Sequence, residues 1–474
     1  MKRIIKIIIV LLFISSSALS QDYSISVLPF CSNYYDEFGP VYYKDGIAFS
    51  SNRKNKVLVT YTSERNNKPL FDLYQVEQLS RTDWGAPELL SKELRSNFHD
   101  GPATFNGREN RVYFTRNIEY RKKLGNSINR KNRLGIFYAR YSGGEFKNVR
   151  PFDYNSEDYN VTHPSLNAEG DVLFFASDMP GGYGGSDLYV SRYENRQWTE
   201  PENLGSVINT EGDELFPFYH KSGKLYFASD EHNSMGRLDV FYTEKVNGEW
   251  HVPFHMEEPI NSRYDDFGLI MDDFGKAGLF TSDRRGTDDI YSFVSLFPIF
   301  ENIKKMEKNS YCYEFYEAGN AGGDTVTFKY EWDLGDGTKK RGNLVDHCFD
   351  TTGTYMVQLN VIDGLTGDIM YSQASYLVEV ENVKQVYINS PDTVYVGREV
   401  QFDGHKTNID DFEIEEYYWD FGDGRRTRGV EATHVYTAPG NYIVQLGVMG
   451  PENNEGDRPK QGVYKNIVVE TPEE

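Results

Sequence analysis

Apolar residues in this chain come in short runs that end in small or polar side chains, and the runs recur. Ile47-Ala48-Phe49-Ser50-Ser51, Val112-Tyr113-Phe114-Thr115-Arg116, Leu173-Phe174-Phe175-Ala176-Ser177, Leu225-Tyr226-Phe227-Ala228-Ser229 and Gly278-Leu279-Phe280-Thr281-Ser282 share one pattern. Short runs rich in aromatic and β-branched residues predict strands, and no stretch carries a long helical period. A turn and another strand follow each run: Phe71-Asp72-Leu73-Tyr74, Gly135-Ile136-Phe137-Tyr138, Ser186-Asp187-Leu188-Tyr189, Leu238-Asp239-Val240-Phe241 and Asp289-Ile290-Tyr291. A fourth strand is predicted around Trp84, Phe146, Trp198 and Trp250. The fullest copy runs from Ser177 to Gly205. There Gly181, Gly182, Gly184 and Gly185 suit a hairpin connection whose backbone needs positive φ.

Each copy opens on a loosely kept acidic-aromatic-Gly-Pro motif, beginning with Asp36-Glu37-Phe38-Gly39-Pro40. It returns as His99-Asp100-Gly101-Pro102, Thr162-His163-Pro164, Asp213-Glu214-Leu215-Phe216-Pro217 and Asp265-Asp266-Phe267-Gly268-Leu269. Counted from Pro40 to Pro102, Pro164, Pro217 and Leu269, the spacings are 62, 62, 53 and 52 residues, as expected of one repeated unit with variable loops. The fifth copy stops after Tyr291 without a fourth strand, whereas Tyr23 to Leu28 is a strand candidate without a partner. Closing a ring with that N-terminal strand removes the open sheet edges. The expectation is a five-bladed β-propeller over residues 22–297.

After a linker, Ser295 to Lys308, a second repeat begins. Trp332-Asp333-Leu334-Gly335-Asp336-Gly337 matches Trp419-Asp420-Phe421-Gly422-Asp423-Gly424 at an offset of 87 residues. His347, Gly353, Tyr355, Val357 and Leu359 match His434, Gly440, Tyr442, Val444 and Leu446 at the same offset. Two modules with alternating strands predict Ig-like β-sandwiches over residues 299–382 and 383–471. The fold class expected is therefore all-β, a propeller followed by two sandwiches.

Both repeats resemble known families. The SD–GG–GG–SDLY and WTEPENLGSVINTEGDE patterns are similar to TolB-type, WD-repeat-like propellers common in exported Bacteroidota proteins. All five copies take part. The second is loosest, with a Lys/Arg-rich stretch, Asn117 to Arg133, where the glycine turn belongs. The WDxGDG turn and the following His and Gly-x-Tyr-x-Val positions resemble the polycystic kidney disease (PKD) domain. Phe349 departs from that pattern, standing where a Tyr follows the His.

Composition narrows the setting. Lys2, Arg3 and Lys6 precede the apolar run Ile7 to Ile14, and Ala18-Leu19-Ser20 suits cleavage, so residues 1–20 read as a signal peptide for export. The run is too short for a membrane span. Cys31 lacks the small-residue context of a lipid anchor, and no direct membrane insertion is expected. Removing the three basic leader residues takes the net charge from −22 to −25, a surface that repels nucleic acid. Three cysteines in an oxidising compartment allow one bridge, expected between Cys312 and Cys348. At the common offset Cys348 falls on the apolar Val435, which reads as inward. Cys31 remains as a lone, buried thiol.

Candidate chemistry is sparse. The Gly181–Gly185 turn lacks the helix and Lys-Ser/Thr pair of a phosphate loop, and reads as a hairpin turn. Asp72, Asp187, Asp239 and Asp289 hold one position per copy and read as locks on turn amides; a ring of carboxylates binding a cation is the alternative. Asp333, Asp336, Asp420 and Asp423 read as turn formers, and Trp332 and Trp419 as core. His251 and His255 flank Pro253 and stand about 13 Å apart along a strand, too far to share one ion. No HExxH, GxSxG or CxxC occurs. No catalytic residue, cofactor or metal ligand is therefore assigned.

The expected function is a non-catalytic interaction or scaffold protein. The family resemblance implies an exported, periplasmic protein held by protein partners at an outer-membrane assembly, of the kind that accompanies type IX secretion and gliding motility. An OmpA-like C-terminal domain and a type IX sorting domain, present in many relatives, are not found here. The alternative is a glycan-binding or glycan-cleaving exported protein, which requires converging carboxylates in the central channel.

Overall fold

A computed structural model of the chain describes residues 23–54, 69–80, 82–124, 127–246, 248–317, 329–363, 365–453 and 456–472. The expected signal peptide lies outside them. Two compact units divide the chain, Met1–Ile299 and Phe300–Glu474. Among the described residues the elements are strands, apart from one 3-10 turn at Lys92–Leu94.

The first unit is a β-propeller whose described strands lie in five antiparallel sheets and a small hairpin. The first sheet orders Glu37–Tyr43, Gly46–Ser51, Asp72–Glu77 and Glu88–Leu89. The second orders Asp100–Phe105, Arg111–Leu124, Ser127–Ser142 and Glu145–Pro151, and the Lys/Arg-rich stretch lengthens its middle hairpin. In the fifth, Tyr23–Val27 pairs antiparallel with Asp289–Ser295, from Tyr23 opposite Ser295 to Val27 opposite Tyr291. The segment before the first copy thus supplies the fourth strand that the fifth copy lacks. Short apolar runs drive this locally: Leu279 and Ile290 are buried on one face of the sheet and Phe280 and Phe293 on the other, each against a neighbouring sheet.

The opening motif has a structural meaning that its residue types conceal. In all five sheets the first strand slips register there: between Phe38 and Val41, Asp100 and Ala103, Thr162 and Ser165, Leu215 and Phe218, and Phe267 and Ile270. The residue before the Pro or Leu has positive φ each time, from 50° at Phe216 to 115° at Gly101. A bulge of this kind bends the innermost strand. Glycine suits the position; His163 and Phe216 occupy it at a strain that their ring packing offsets.

Two readings of this unit change. Only Gly181 of the glycine turn has positive φ, whereas Gly184 is needed for close approach: a Cβ there would lie 2.3 Å from Thr210 O on the next sheet's loop. The fourth strand of the second copy does contain Phe146, but in the other three it is displaced from its aromatic marker. Trp198 and Trp250 sit in short hairpins, and the edge strands are Glu202–Asn203 and Phe254–His255. Trp84 makes only an isolated bridge to Gln78, and Glu88–Leu89 forms the edge. A tryptophan marks apolar cover, which a hairpin provides as well as an edge strand does.

In the second unit a four-stranded sheet of the first module and a six-stranded sheet of the second each pack on a two-stranded one. The first module pairs Lys339–Arg341, Lys329–Asp333, Gly353–Ile362 and Ile369–Val380, opposite Cys312–Tyr316 and Leu344–Cys348. The second repeats this with Arg426–Arg428, Glu416–Asp420, Gly440–Met449 and Lys460–Glu470, opposite Glu399–Asp403 and Glu431–Val435. Trp332 and Trp419 are buried between the sheets, each donating its indole N–H to a backbone oxygen, Gly342 O and Gly429 O. Lys304–Lys305, within the stretch read as linker, pairs parallel with Lys460–Glu470 of the second module. Met306 N continues this by donating to Tyr464 O at 2.8 Å, which satisfies an otherwise open edge. Cys348 points outward, because Val345, His347 and Phe349 take the inward positions on either side of it.

Candidate binding face and its supporting residues

The acidic residue of the opening motif is a structural anchor. Glu37, Asp100, Glu214 and Asp266 begin the first strand of their sheets and are fully or almost fully buried. Glu37 accepts from Ser51 Oγ at 3.1 Å and from Arg53 Nη2 at 2.9 Å. Asp266 accepts from Arg284, and Asp100 from Arg116, both at 2.5 Å. These guanidiniums lie over aromatic rings, Arg284 over Phe280 and Tyr291 at 5.3 and 5.1 Å. In the fourth sheet Ser229 and Thr210 hold Glu214, and His232 stands 4.0 Å away in place of the arginine. Burial pushes Glu37 up to about 7 and Asp100 up to about 6, against the pull of Arg53 and Arg116. Burial raises Glu214 and Asp266 as well. The sequence displays these acids, but nothing in it shows their partners.

Two of the recurring aspartates, Asp187 and Asp239, serve their own turns. Asp187 accepts from Tyr183 N at 2.7 Å, Gly184 N at 3.2 Å and Asn203 Nδ2 at 2.7 Å. Asp239 accepts from Gly236 N and meets His255 Nε2 at 2.6 Å. Asp72 pairs with Arg95 at 3.2 Å. These aspartates do not gather into one ligand cluster among the described residues. His255 is thereby committed to Asp239 and Asn261, and His251 to Val252 O.

Near the axis the bulged motifs meet. Phe216 stacks on His163 with ring centroids 3.9 Å apart and packs on Phe267 at 4.7 Å, while Phe38 meets both phenylalanines. Burial pushes His163 down to about 3, so the stacked ring is neutral. The void left between these motifs is about 40 Å³, and no Asp or Glu lines it. A much larger cavity, about 980 Å³, opens at the turns joining first to second strands. Tyr42, Phe218, Tyr219, His220, Lys221 and Asp273 line its axial part. An arm between the third and fourth sheets reaches Arg192, Glu202, Lys245 and Trp250. Two ion pairs lie in its lining, Lys221 with Asp273 and Arg192 with Glu202, each at 2.8 Å. Tyr42 and Tyr183 at the rim are 42% and 52% exposed, apolar area available to a partner.

In the second unit the turn acids stay local. Asp333 and Asp420 accept from Gly335 N and Gly422 N, and Asp336 and Asp423 from Thr338 N and Arg425 N. The second acid of each turn also holds a histidine: Asp336 with His347 and Asp423 with His434, both at 2.6 Å. Cys312 and Cys348 face each other on paired strands and are joined as a disulfide.

Comparison with known proteins agrees on the second unit. The PKD domain family matches residues 303–373 and 384–461. A stretch of 113 residues, 24% of this chain, is 35% identical to the collagenase ColA of Clostridium perfringens. The chain spans about a tenth of the length of the curated relatives it matches. Solved structures similar over the whole chain are remote. A TolB from Agrobacterium tumefaciens is 11% identical with a TM-score of 0.29, covering 76% of this chain and 92% of that one. An exo-β-1,3-galactanase from Clostridium thermocellum is 10% identical with a TM-score of 0.35, covering 94% and 100%.

Proposed function

We propose that this chain is a non-catalytic interaction protein of the cell envelope, whose propeller presents the turn-face cavity to a protein partner. The observation that carries this reading is the contrast along the axis. Rings and prolines fill the constriction without a carboxylate in its lining, while the open cavity of about 980 Å³ has two ion pairs and exposed tyrosines. We take the propeller as five blades closed into a ring. Support comes from the Tyr23–Val27 pairing and from Gly39 N, which donates to Thr281 Oγ1 between the first and fifth sheets at 3.1 Å. A closed ring is a stiff platform whose loops vary independently. The two PKD-type modules serve as spacers or secondary contacts.

Export, a periplasmic location and attachment to the outer membrane through partners follow from the leader-like N-terminus and the family resemblance. That resemblance makes an outer-membrane assembly of the type IX secretion or gliding class, in a Bacteroidota cell, the partner we favour. Glycan binding is the second reading, favoured by Tyr42, Tyr183 and Trp250 at one cavity. The test is affinity capture from the native envelope with the tagged full chain, beside a Tyr42→Asp, Tyr183→Asp variant. Outer-membrane assembly proteins captured by the first and lost from the second are the expected result. Capture unchanged by the variant overturns the docking face. An oligosaccharide that raises the melting temperature, with no protein captured, transfers the function to glycan recognition.

A further inference from the structure

An aspartate opens the third strand in four of the five copies, and that of the fifth is held differently from those of the third and fourth. Asp187 takes two turn amides, from Tyr183 and Gly184, and Asp239 likewise takes those of Met235 and Gly236. Asp289 has no such pair. Its Oδ2 meets Thr287 Oγ1 at 3.3 Å and Arg285 Nε at 3.7 Å. Its Oδ1 is buried without a hydrogen-bond partner, and the residue is 0% exposed. Buried polar atoms are normally satisfied, so an orphaned carboxylate oxygen asks for a ligand.

Two further ligand groups share that space. Cys31 Sγ, a Glu37 carboxylate oxygen and an Asp289 carboxylate oxygen all lie within 4.8 Å of one another. The backbone holds them there. Leu28 N donates to Ile290 O at 2.9 Å, Glu37 N to Asp288 O at 2.6 Å, and Ile290 N to Cys31 Sγ at 3.4 Å. Cys31 is the free thiol of the chain, since the other two cysteines are bridged.

We propose that Cys31, Glu37 and Asp289 form a binding site for a thiophilic divalent cation of the Zn²⁺ class, with water as the fourth ligand. One sulfur and two carboxylates suit a tetrahedral ion with bonds of about 2.3 Å to sulfur and about 2.0–2.2 Å to oxygen. Ligand atoms around such an ion stand about 3.5 Å apart, so the three groups close by roughly 1 Å on binding. Binding transfers the Cys31 thiol proton to solvent, leaving thiolate on the metal. Arg53, 2.9 Å from Glu37, and Arg285 already offset part of the carboxylate charge, and the ion enters in competition with them. The ligands come from the segment after the N-terminal strand, from the first sheet and from the fifth. The ion therefore staples the place where the first strand of the first unit pairs with its last.

Cobalt(II) titration of the chelator-stripped full chain tests this, because a thiolate-to-cobalt charge-transfer band in the near ultraviolet can arise only from Cys31. The expected result is a saturable band at one equivalent. Cys31→Ser abolishes it, and Asp289→Asn weakens binding at least tenfold while circular dichroism stays unchanged. Zn²⁺ displaces the band and raises the melting temperature of the wild type, with little effect on Asp289→Asn. Cobalt binding without the sulfur band, or equal affinity in wild type and Asp289→Asn, overturns the site.

Discussion

Arg284 reaches under the first strand of the fifth sheet and meets Asp266 Oδ1 at 2.5 Å, while its second amino group donates to Pro259 O. The carboxylate is fully buried, and Ser262 Oγ takes its other oxygen. Removing the cation alone leaves a charge in a dry site. Arg284→Ala is expected to lower stability by about 3 kcal/mol, and adding Asp266→Asn to restore part of it. Denaturant midpoints of the three chains check this. An unchanged midpoint for Arg284→Ala contradicts the anchor role.

The first unit is expected to gain stability as pH falls from about 6 to 4. Burial pushes Asp100 up to about 6 from an ordinary 3.8, despite Arg116. The folded state therefore holds this proton more tightly, and stability is lost as pH rises through about 4 to 6, on the order of 2–3 kcal/mol. Glu214 and Asp266 shift in the same direction. Hydrogen-exchange protection of Asp100–Phe105 should rise over this window, and Asp100→Asn should flatten the rise. A fall in protection argues against it.

In the second unit acid acts the other way. Hydrogen bonds from Lys308 and Lys465 hold Asp392 down at about 2, so its contribution persists above an ordinary carboxylate pKa and disappears as pH falls through about 4 to 2. Lys308 precedes the first module's strands and Asp392 belongs to the second module, so this contact joins the modules. Asp392→Asn is expected to remove that acid sensitivity, read as the pH midpoint of unfolding.

The Cys312–Cys348 bridge closes a 36-residue separation. Chain-entropy reasoning gives it about 3 to 4 kcal/mol. The double change to serine should lower the melting temperature of the second unit and leave the first untouched. Both side chains are exposed, so serine meets no steric obstacle. A drop in both transitions would mean that the two units do not unfold independently.

Tyr436 and Phe349 occupy one position in the two modules. The Tyr436 hydroxyl donates to Phe421 O at 3.1 Å, whereas Phe349 stacks on Tyr355 with ring centroids 4.1 Å apart. Tyr436→Phe should cost about 1 kcal/mol in chemical unfolding, the net worth of one buried hydrogen bond. A neutral result assigns the ring, and not the hydroxyl, the stabilising role.

Much of this was legible in the residues because each copy spells out its own local physics. The unbroken apolar run before Thr281 and Ser282 marks a strand buried on both faces. The absent fourth strand after Tyr291 and the spare strand at Tyr23 together predict their pairing. Asp187 could be read as a turn lock because its donors lie within four residues of it. Other features resisted reading for a shared reason. Arg284 and Asp266 are 18 residues apart and meet only across a strand pair. Cys348 looked inward by analogy with Val435, but its own strand places His347 there instead.

From its amino acids alone, this chain determines its strands, its two repeat families and the aspartate locks on the hairpins of the third and fourth copies, since those depend on neighbours within a few residues and on side-chain period. Tertiary structure alone decides what contacts what across the sheets: which rings close the axis, which cation answers each buried acid, and that Cys31, Glu37 and Asp289 share one pocket. Such contacts arise when bent strands carry distant segments together, and spacing along the chain contains no record of that distance.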